Sequence, residues 1–173
     1  MDYRALPELF ELRTQLKPGD VGSIVQLHCA VYSQEHGFDH TFEDYVAVPL
    51  AAFVRQGSSR ERLWIVERDG RIAGCVAIVA HSSTVAQLRW FLVDPASRGL
   101  GLGGRLLDEA VNFCKEAGYD TVILWPVDSL VVAAHLYRSA GFQKVEERRG
   151  RQWGVDLVEE RYELHLKRGG CGN

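Results

Sequence analysis

Little in this chain settles a function at first sight. Its 173 residues hold four cysteines, one methionine and five prolines. Cys29, Cys75, Cys114 and Cys171 form no CxxC pair and lie too far apart for a zinc-finger array. A chain of this length also needs no disulfides to hold its core, so reduced, mostly buried thiols of a cytoplasmic protein are expected. No uninterrupted apolar run approaches the ~20 residues of a membrane span. Met1-Asp2-Tyr3-Arg4 is followed by no apolar stretch of the secretory-signal kind. Neither sign of charge dominates: 20 Lys and Arg against 23 Asp and Glu give a formal charge of -3. A broad basic surface for duplex binding is therefore missing, and neither nucleic acid nor membrane is an expected partner. A local anion site stays open, because net charge is blind to local fields.

What is present is globular. Apolar residues make up 46% of the chain and charged residues 25%, which suits one domain over residues 1–173. Glu8 to Leu16 alternates as a strand until Pro18-Gly19 breaks it. Asp20 or Ser23 then caps a helix carrying Ile24, Leu27, His28, Val31, Tyr32 and Glu35 as far as Gly37. Thr41 and Asp44 resemble a capping box for a second helix with Phe42, Tyr45, Val46, Leu50 and Phe53 on one face. Pro49 should kink or divide that helix.

The period then changes. Leu63–Arg68, an Asp69-Gly70 turn, Arg71–Ala80 and Val85–Val93 read as three successive antiparallel strands. A long helix striped by Leu102, Leu106, Ala110, Phe113 and Ala117 runs to Gly118. Thr121–Trp125 is a short apolar strand, residues 130–140 a short helix stopped by Gly141, and Phe142–Glu146 the start of a strand. A charged, glycine-punctuated loop is expected over Glu147–Glu159, then a strand over Arg161–Leu166 and a flexible tail over residues 167–173. The order fits an α/β (α+β) domain with a mixed central sheet flanked by helices.

Two stretches carry chemistry. In Asp94-Pro95-Ala96-Ser97-Arg98-Gly99-Leu100-Gly101-Leu102-Gly103-Gly104-Arg105, four glycines strip side chains from a strand-to-helix junction. Bare backbone N–H groups there suit phosphate oxygens, and Arg98 and Arg105 could add charge-assisted contacts. The glycines might equally only form a tight junction. No Gly-Lys-Ser/Thr closes the segment, and the full GxGxxG spacing is absent, so neither a P-loop nor a dinucleotide fingerprint is read. The second stretch is Ala133 to Phe142, where Tyr137 is either a core aromatic or a proton donor to a developing anion.

Together the two stretches resemble the GCN5-related N-acetyltransferase superfamily. Arg98-x-x-Gly101-x-Gly103 matches its glycine signature, and Leu136-Tyr137-x-x-x-Gly141-Phe142 its downstream helix–strand signature. Tyr32-x-x-Glu35-x-Gly37 and Leu88-Arg89-Trp90 look more like the acetyltransferase half of bacterial proteins fused to a MarR-type DNA-binding domain. The resemblance implies splayed central parallel strands, with acetyl-CoA as cosubstrate lying between Val85–Val93 and Thr121–Trp125, and no metal. Phe91, Leu92 and Val93 would align the acetyl carbonyl and pantetheine. Arg98, Gly99, Leu100, Gly101, Leu102, Gly103, Gly104 and Arg105 would hold the pyrophosphate, with His135 and Arg138 as further cofactor contacts.

The resemblance further implies direct acetyl transfer to a primary amine of a small molecule, peptide or protein. Tyr137 would protonate the departing thiolate. Glu35 is the base candidate, with His28 and His135 as competitors or water as the relay. A homodimer is a family-level expectation. The family's usual asparagine after the fifth strand is missing: Val127 stands there, with Asp128 and Ser129 as substitutes. Trp153, Asp156, Glu159 and Glu160 could face an acceptor, or simply solvent. The rival readings are a noncatalytic acyl-CoA-binding regulatory module and an assembly protein using the fold without cofactor.

Overall fold

The strands and helices fall close to the positions that their hydrophobic periods dictate. A computed structural model describes residues 6–126 and 131–166. Val127, Asp128, Ser129, Cys171 and the tail over residues 167–173 lie outside the described residues. The elements run β1 (Glu11–Arg13), α1 (Asp20–His36), α2 (Thr41–Gln56), β2 (Arg62–Arg68), β3 (Arg71–Ala80), β4 (Val85–Val93) and α3 (Leu102–Glu116). They continue through β5 (Thr121–Leu124), α4 (Val131–Ser139), β6 (Gln143–Gln152) and β7 (Val155–His165). No helix among the described residues is long and apolar enough to cross a membrane.

One seven-stranded sheet has the order β1-β2-β3-β4-β5-β7-β6. Every pairing is antiparallel except β4 with β5. That parallel pairing covers only Val85–Gln87 against Thr121–Ile123, so the strands part beyond Gln87. One apolar layer joins the sheet to α3 and α4 through Leu88, Leu106, Ala110, Phe113 and Phe142. The other joins it to α1 and α2 through Ile24, Phe42, Leu50, Ile65 and Trp90.

β4 serves both layers because it carries a bulge. Ala77 pairs with Arg89 but Cys75 pairs with Leu92, so two residues, Trp90 and Phe91, stand opposite Val76. Trp90 takes φ 47°, a left-handed backbone that a bulky residue adopts at a cost of about 1–2 kcal/mol. The side-chain alternation slips there: Leu88 faces the α3 layer, Trp90 the α1–α2 layer, and Phe91 and Val93 the α3 layer again.

Several local expectations are corrected. The first strand shortens to Glu11–Arg13. Asp20 is the first helical residue rather than a cap; its carboxylate accepts the Lys17 N–H at 2.6 Å and two guanidinium bonds from Arg13 at 2.7 and 2.9 Å. Thr41 does not cap α2: Asp39, two residues earlier, accepts its N–H at 3.0 Å and its hydroxyl, a local Asx-type closure. α2 also runs unbroken through Pro49, because Val46 and Leu50 still reach the buried face and packing outweighs one lost N–H bond. The expected loop over Glu147–Glu159 is in fact most of a β6–β7 hairpin. Its turn, Trp153-Gly154, has φ 50° and 79°, the two positive angles of a tight hairpin.

Arg13 fastens β1 to its neighbours. Besides Asp20 it reaches the Glu67 carboxylate at 2.8 Å, and its side chain is 9% exposed. The guanidinium bonds hold both carboxyls below their usual range, and the same bonds push Arg13 upward. Removing the cation leaves Asp20 buried without its partner. Arg13→Met is therefore expected to lower the unfolding free energy by roughly 2 kcal/mol at pH 7. The deficit shrinks below about pH 4, as the carboxyls take up protons through the depressed folded-state values. Urea unfolding at pH 7 and pH 3.5 measures both.

Candidate active site

The parting of β4 from β5 opens a wedge, and two chambers occupy it. The larger, about 400 Å³, lies between β4, the glycine segment, α1 and α4. The smaller, about 110 Å³, lies between α1, α2, β4, β5 and the β6–β7 hairpin. Tyr32, Phe91 and Tyr137 belong to both, so three aromatic rings form the partition.

Backbone geometry shapes the larger chamber. Asp94 accepts the Ala96 N–H at 3.3 Å and starts a short 3₁₀ turn over Pro95–Ser97. Gly99 and Gly101 then take φ 79° and 80°, which only glycine tolerates without strain, and Gly101 is the cap of α3. The Arg105 N–H donates to the Gly101 carbonyl at 3.1 Å. The N–H groups of Leu102, Gly103 and Gly104 precede that bond and have no helical acceptor. No acidic residue occurs between Pro95 and Arg105. A bare, electropositive helix start is thus presented to the chamber. At Gly103 a Cβ would come within 3.3 Å of Leu136 and 3.8 Å of Phe91 and Val93, so the absent side chain leaves the passage clear.

Phe91, Leu92, Val93, Arg98, Gly99, Gly101, Leu102 and Gly103 all line this chamber, as the sequence suggests. Leu100, Gly104, Arg105, His135 and Arg138 are not among its walls. Arg105 forms a 2.7 Å ion pair with Glu109 along its own helix. His135 and Arg138 are exposed on α4. Arg98 and Glu35 meet directly: two guanidinium N–H groups donate to the two carboxylate oxygens at 2.6 and 3.1 Å. The pair spans the chamber mouth from α3's approach loop to α1.

Tyr137 sits at the junction with 4% exposure, its ring centroid 6.0 Å from Phe91, 6.1 Å from Phe142 and 5.8 Å from Tyr162. The helix behind it ends in a Schellman closure: Gly141 donates to Arg138 O and Phe142 to Tyr137 O, both at 3.0 Å, with Gly141 at φ 97°. Burial pushes the Tyr137 phenol far above its ordinary value, so it keeps its proton at neutral pH. Tyr32 is pushed up to about 12 by burial.

The smaller chamber is what sequence reading missed. Its residues come from α1, α2, β4, β5 and the hairpin tip, so no linear motif announces it. The tip is held in place by the Asp39 N–H donating to the Trp153 carbonyl at 2.9 Å. Trp153 then packs 4.9 Å from Phe38 and 4.7 Å from Tyr45. His28 lines the same space; its Nδ1 is bonded to the Ile24 carbonyl at 2.8 Å, and its buried Nε2 has no hydrogen-bond partner. Burial lowers its pKa to about 4, so the ring is neutral at physiological pH. Cys75 and Cys114 are buried and both thiols are pushed up to about 12, which leaves them inert.

Comparison with known proteins agrees with this geometry. Residues 23–142 match the acetyltransferase (GNAT) family. An uncharacterized N-acetyltransferase of Schizosaccharomyces pombe is 35% identical over 118 residues, covering 66% of this chain and 72% of the other. A mycothiol acetyltransferase of Thermomonospora curvata is 33% identical over 82 residues, covering 47% of this chain and only 28% of its own length. Among solved structures, a Salmonella typhimurium acetyltransferase with its cofactor acetyl-CoA superposes with a TM-score of 0.72 at 16% identity. That alignment covers 95% of this chain and 98% of the other. With its glycine segment, splayed strands and family match in agreement, the chain belongs to the GNAT acetyltransferase family.

Proposed function

We propose that the protein transfers an acetyl group from acetyl-CoA directly to a primary amine of a small molecule or peptide. The observation that carries this reading is the meeting of two chambers at Tyr32, Phe91 and Tyr137. A module that only bound acyl-CoA would need the larger chamber alone. The residues there fit the donor: an apolar slot for the pantetheine and an acid-free glycine turn for the pyrophosphate. When bound, the thioester supplies the electrophilic carbonyl.

This chain's own groups do the rest. The β4 backbone at Phe91–Val93 lies along the slot beside the bulge and orients the donor chain. The amine, entering neutral from the smaller chamber, forms the new N–C bond as the C–S bond breaks. Tyr137 gives its proton to the departing sulfur, and the amine's proton leaves to solvent, so the products are amide and free thiol. Glu35 is the candidate for accepting that proton. With both oxygens held by Arg98, it acts directly only when the pair parts, and otherwise water relays. Arg98 in turn reaches phosphate only by leaving Glu35.

Within the family, Tyr32, Glu35, Gly37 and the Leu88–Trp90 strand favour a place near the acetyltransferase half of MarR fusions. Here that stretch of sequence acquires a physical sense: Tyr32 forms the partition, Glu35 pairs with Arg98, and Trp90 holds the bulge.

Gly103→Val tests the donor site. The added side chain enters the space beside Leu136, Phe91 and Val93. It is expected to weaken CoA binding by at least about 10-fold in calorimetry, while Asn112→Ala on the exposed face of α3 changes nothing. Failure of the unaltered protein to bind CoA would remove the acetyl-CoA assignment.

A further inference from the structure

We infer that the smaller chamber selects an amine carried on a single aromatic ring, a phenylethylamine-type acceptor. This rests on the reading of the protein as an amine acetyltransferase. Nine of the chain's seventeen Phe, Trp and Tyr residues line this one space. The deep walls are Phe38, Phe42, Phe91 and Tyr137, and the rim is Tyr45, which is 45% exposed, and Trp153. Flat rings meet such walls edge-to-face or offset, gaining about 0.5–1.5 kcal/mol per pair beyond the area buried. An aliphatic chain collects only the area.

Size and charge narrow the class. The space is about 110 Å³, somewhat smaller than the ~150 Å³ apolar cavity known to accept one benzene ring. With its open rim it admits one six-membered ring and not a fused pair. Among the lining residues are one carboxylate, Glu159, and two basic groups: the Arg89 guanidinium, 4.7 Å over the Trp90 ring, and His28. Glu159 and Arg89 offset each other, and His28 is neutral, so the chamber has no excess negative charge to attract a polycation.

His28 supplies the polar anchor. It is 4% exposed, lies nearly parallel to Tyr32 with ring centroids 6.3 Å apart, and has a buried Nε2 with no bonded partner. With Nδ1–H donated to the Ile24 carbonyl, Nε2 carries a lone pair and accepts a hydrogen bond. A buried acceptor left empty costs free energy, and an amine N–H beside the ring satisfies it. The ring in the aromatic walls and the N–H at His28 together turn the amine toward Tyr137 and Phe91.

The test is thiol release at saturating acetyl-CoA with phenylethylamine, hexylamine, spermidine and tryptamine. Phenylethylamine is expected to lead the other three in kcat/KM by about 10-fold. Tyr45→Ala, at the exposed rim, is expected to lower the phenylethylamine value about 5-fold and leave hexylamine within about two-fold. Hexylamine or spermidine equalling phenylethylamine overturns the aromatic assignment and leaves amine acetylation standing. Tryptamine equalling it overturns the single-ring limit. A uniform loss across all amines in Tyr45→Ala assigns the residue to structure and overturns its role in selection. If no amine is acetylated although CoA binds, the transfer reading falls and this inference falls with it.

Discussion

Tyr137→Phe is expected to lower kcat on the order of 10²-fold while leaving the Kd for acetyl-CoA within about two-fold. The substitution removes one oxygen and keeps the ring that packs against Phe91, Phe142 and Tyr162. Shape, and with it the slot for the donor, is conserved. What disappears is a proton that burial holds on the phenol at neutral pH. An interaction made only as the thiolate departs lowers kcat and kcat/KM together without weakening ground-state binding. Single-turnover acetylation at saturating donor is the measurement. An unchanged rate there would falsify the acid role and return Tyr137 to the core.

The second large effect is on acid stability. His28 has a folded-state pKa of about 4 against an ordinary 6.5, because burial penalises the imidazolium. Between those values the unfolded chain binds a proton that the folded chain refuses, so the unfolded state gains as pH falls. Above pH 6.5 this costs nothing, and by pH 4.5 it removes roughly 2–3 kcal/mol. His28→Leu cannot titrate and is expected to escape that loss. Urea unfolding of both proteins at pH 7 and pH 4.5 separates this contribution from that of the Arg13 carboxylates, which both proteins share. Equal acid losses in the two would show that His28 charges freely.

Legibility in the sequence follows how locally each feature is encoded. The Asp69-Gly70 hairpin and the stops at Gly118 and Gly141 are written in two or three adjacent residues and appear where expected. The donor side of the site is similarly local, since four glycines and the end of β4 make most of it. The β6–β7 hairpin misleads because its outer strand has almost no buried face: the period-two signal needs an apolar side, and Gln143–Gln152 lacks one. That strand is held instead by its ladder, by cross-strand ion pairs such as Lys144–Glu160 at 2.8 Å, and by the docked turn. Pro49 misleads for the opposite reason, its local veto being overruled by tertiary packing. The aromatic chamber could not be read at all, because Tyr32, Tyr45, Trp90, Trp125 and Trp153 become neighbours only through the sheet order and the bulge.

The partition of three rings has a consequence for how such a protein diversifies. Apart from Tyr32, Phe91 and Tyr137, the two chambers have separate walls: glycine turn and α4 on one side, α2 and the hairpin tip on the other. Substitutions in α2 or at Trp153 can remodel what enters one room without moving a wall of the other. The chemistry is therefore insulated from the choice of acceptor, and a lineage can exchange substrates by redecorating surface segments while its donor grip and its proton source stay fixed.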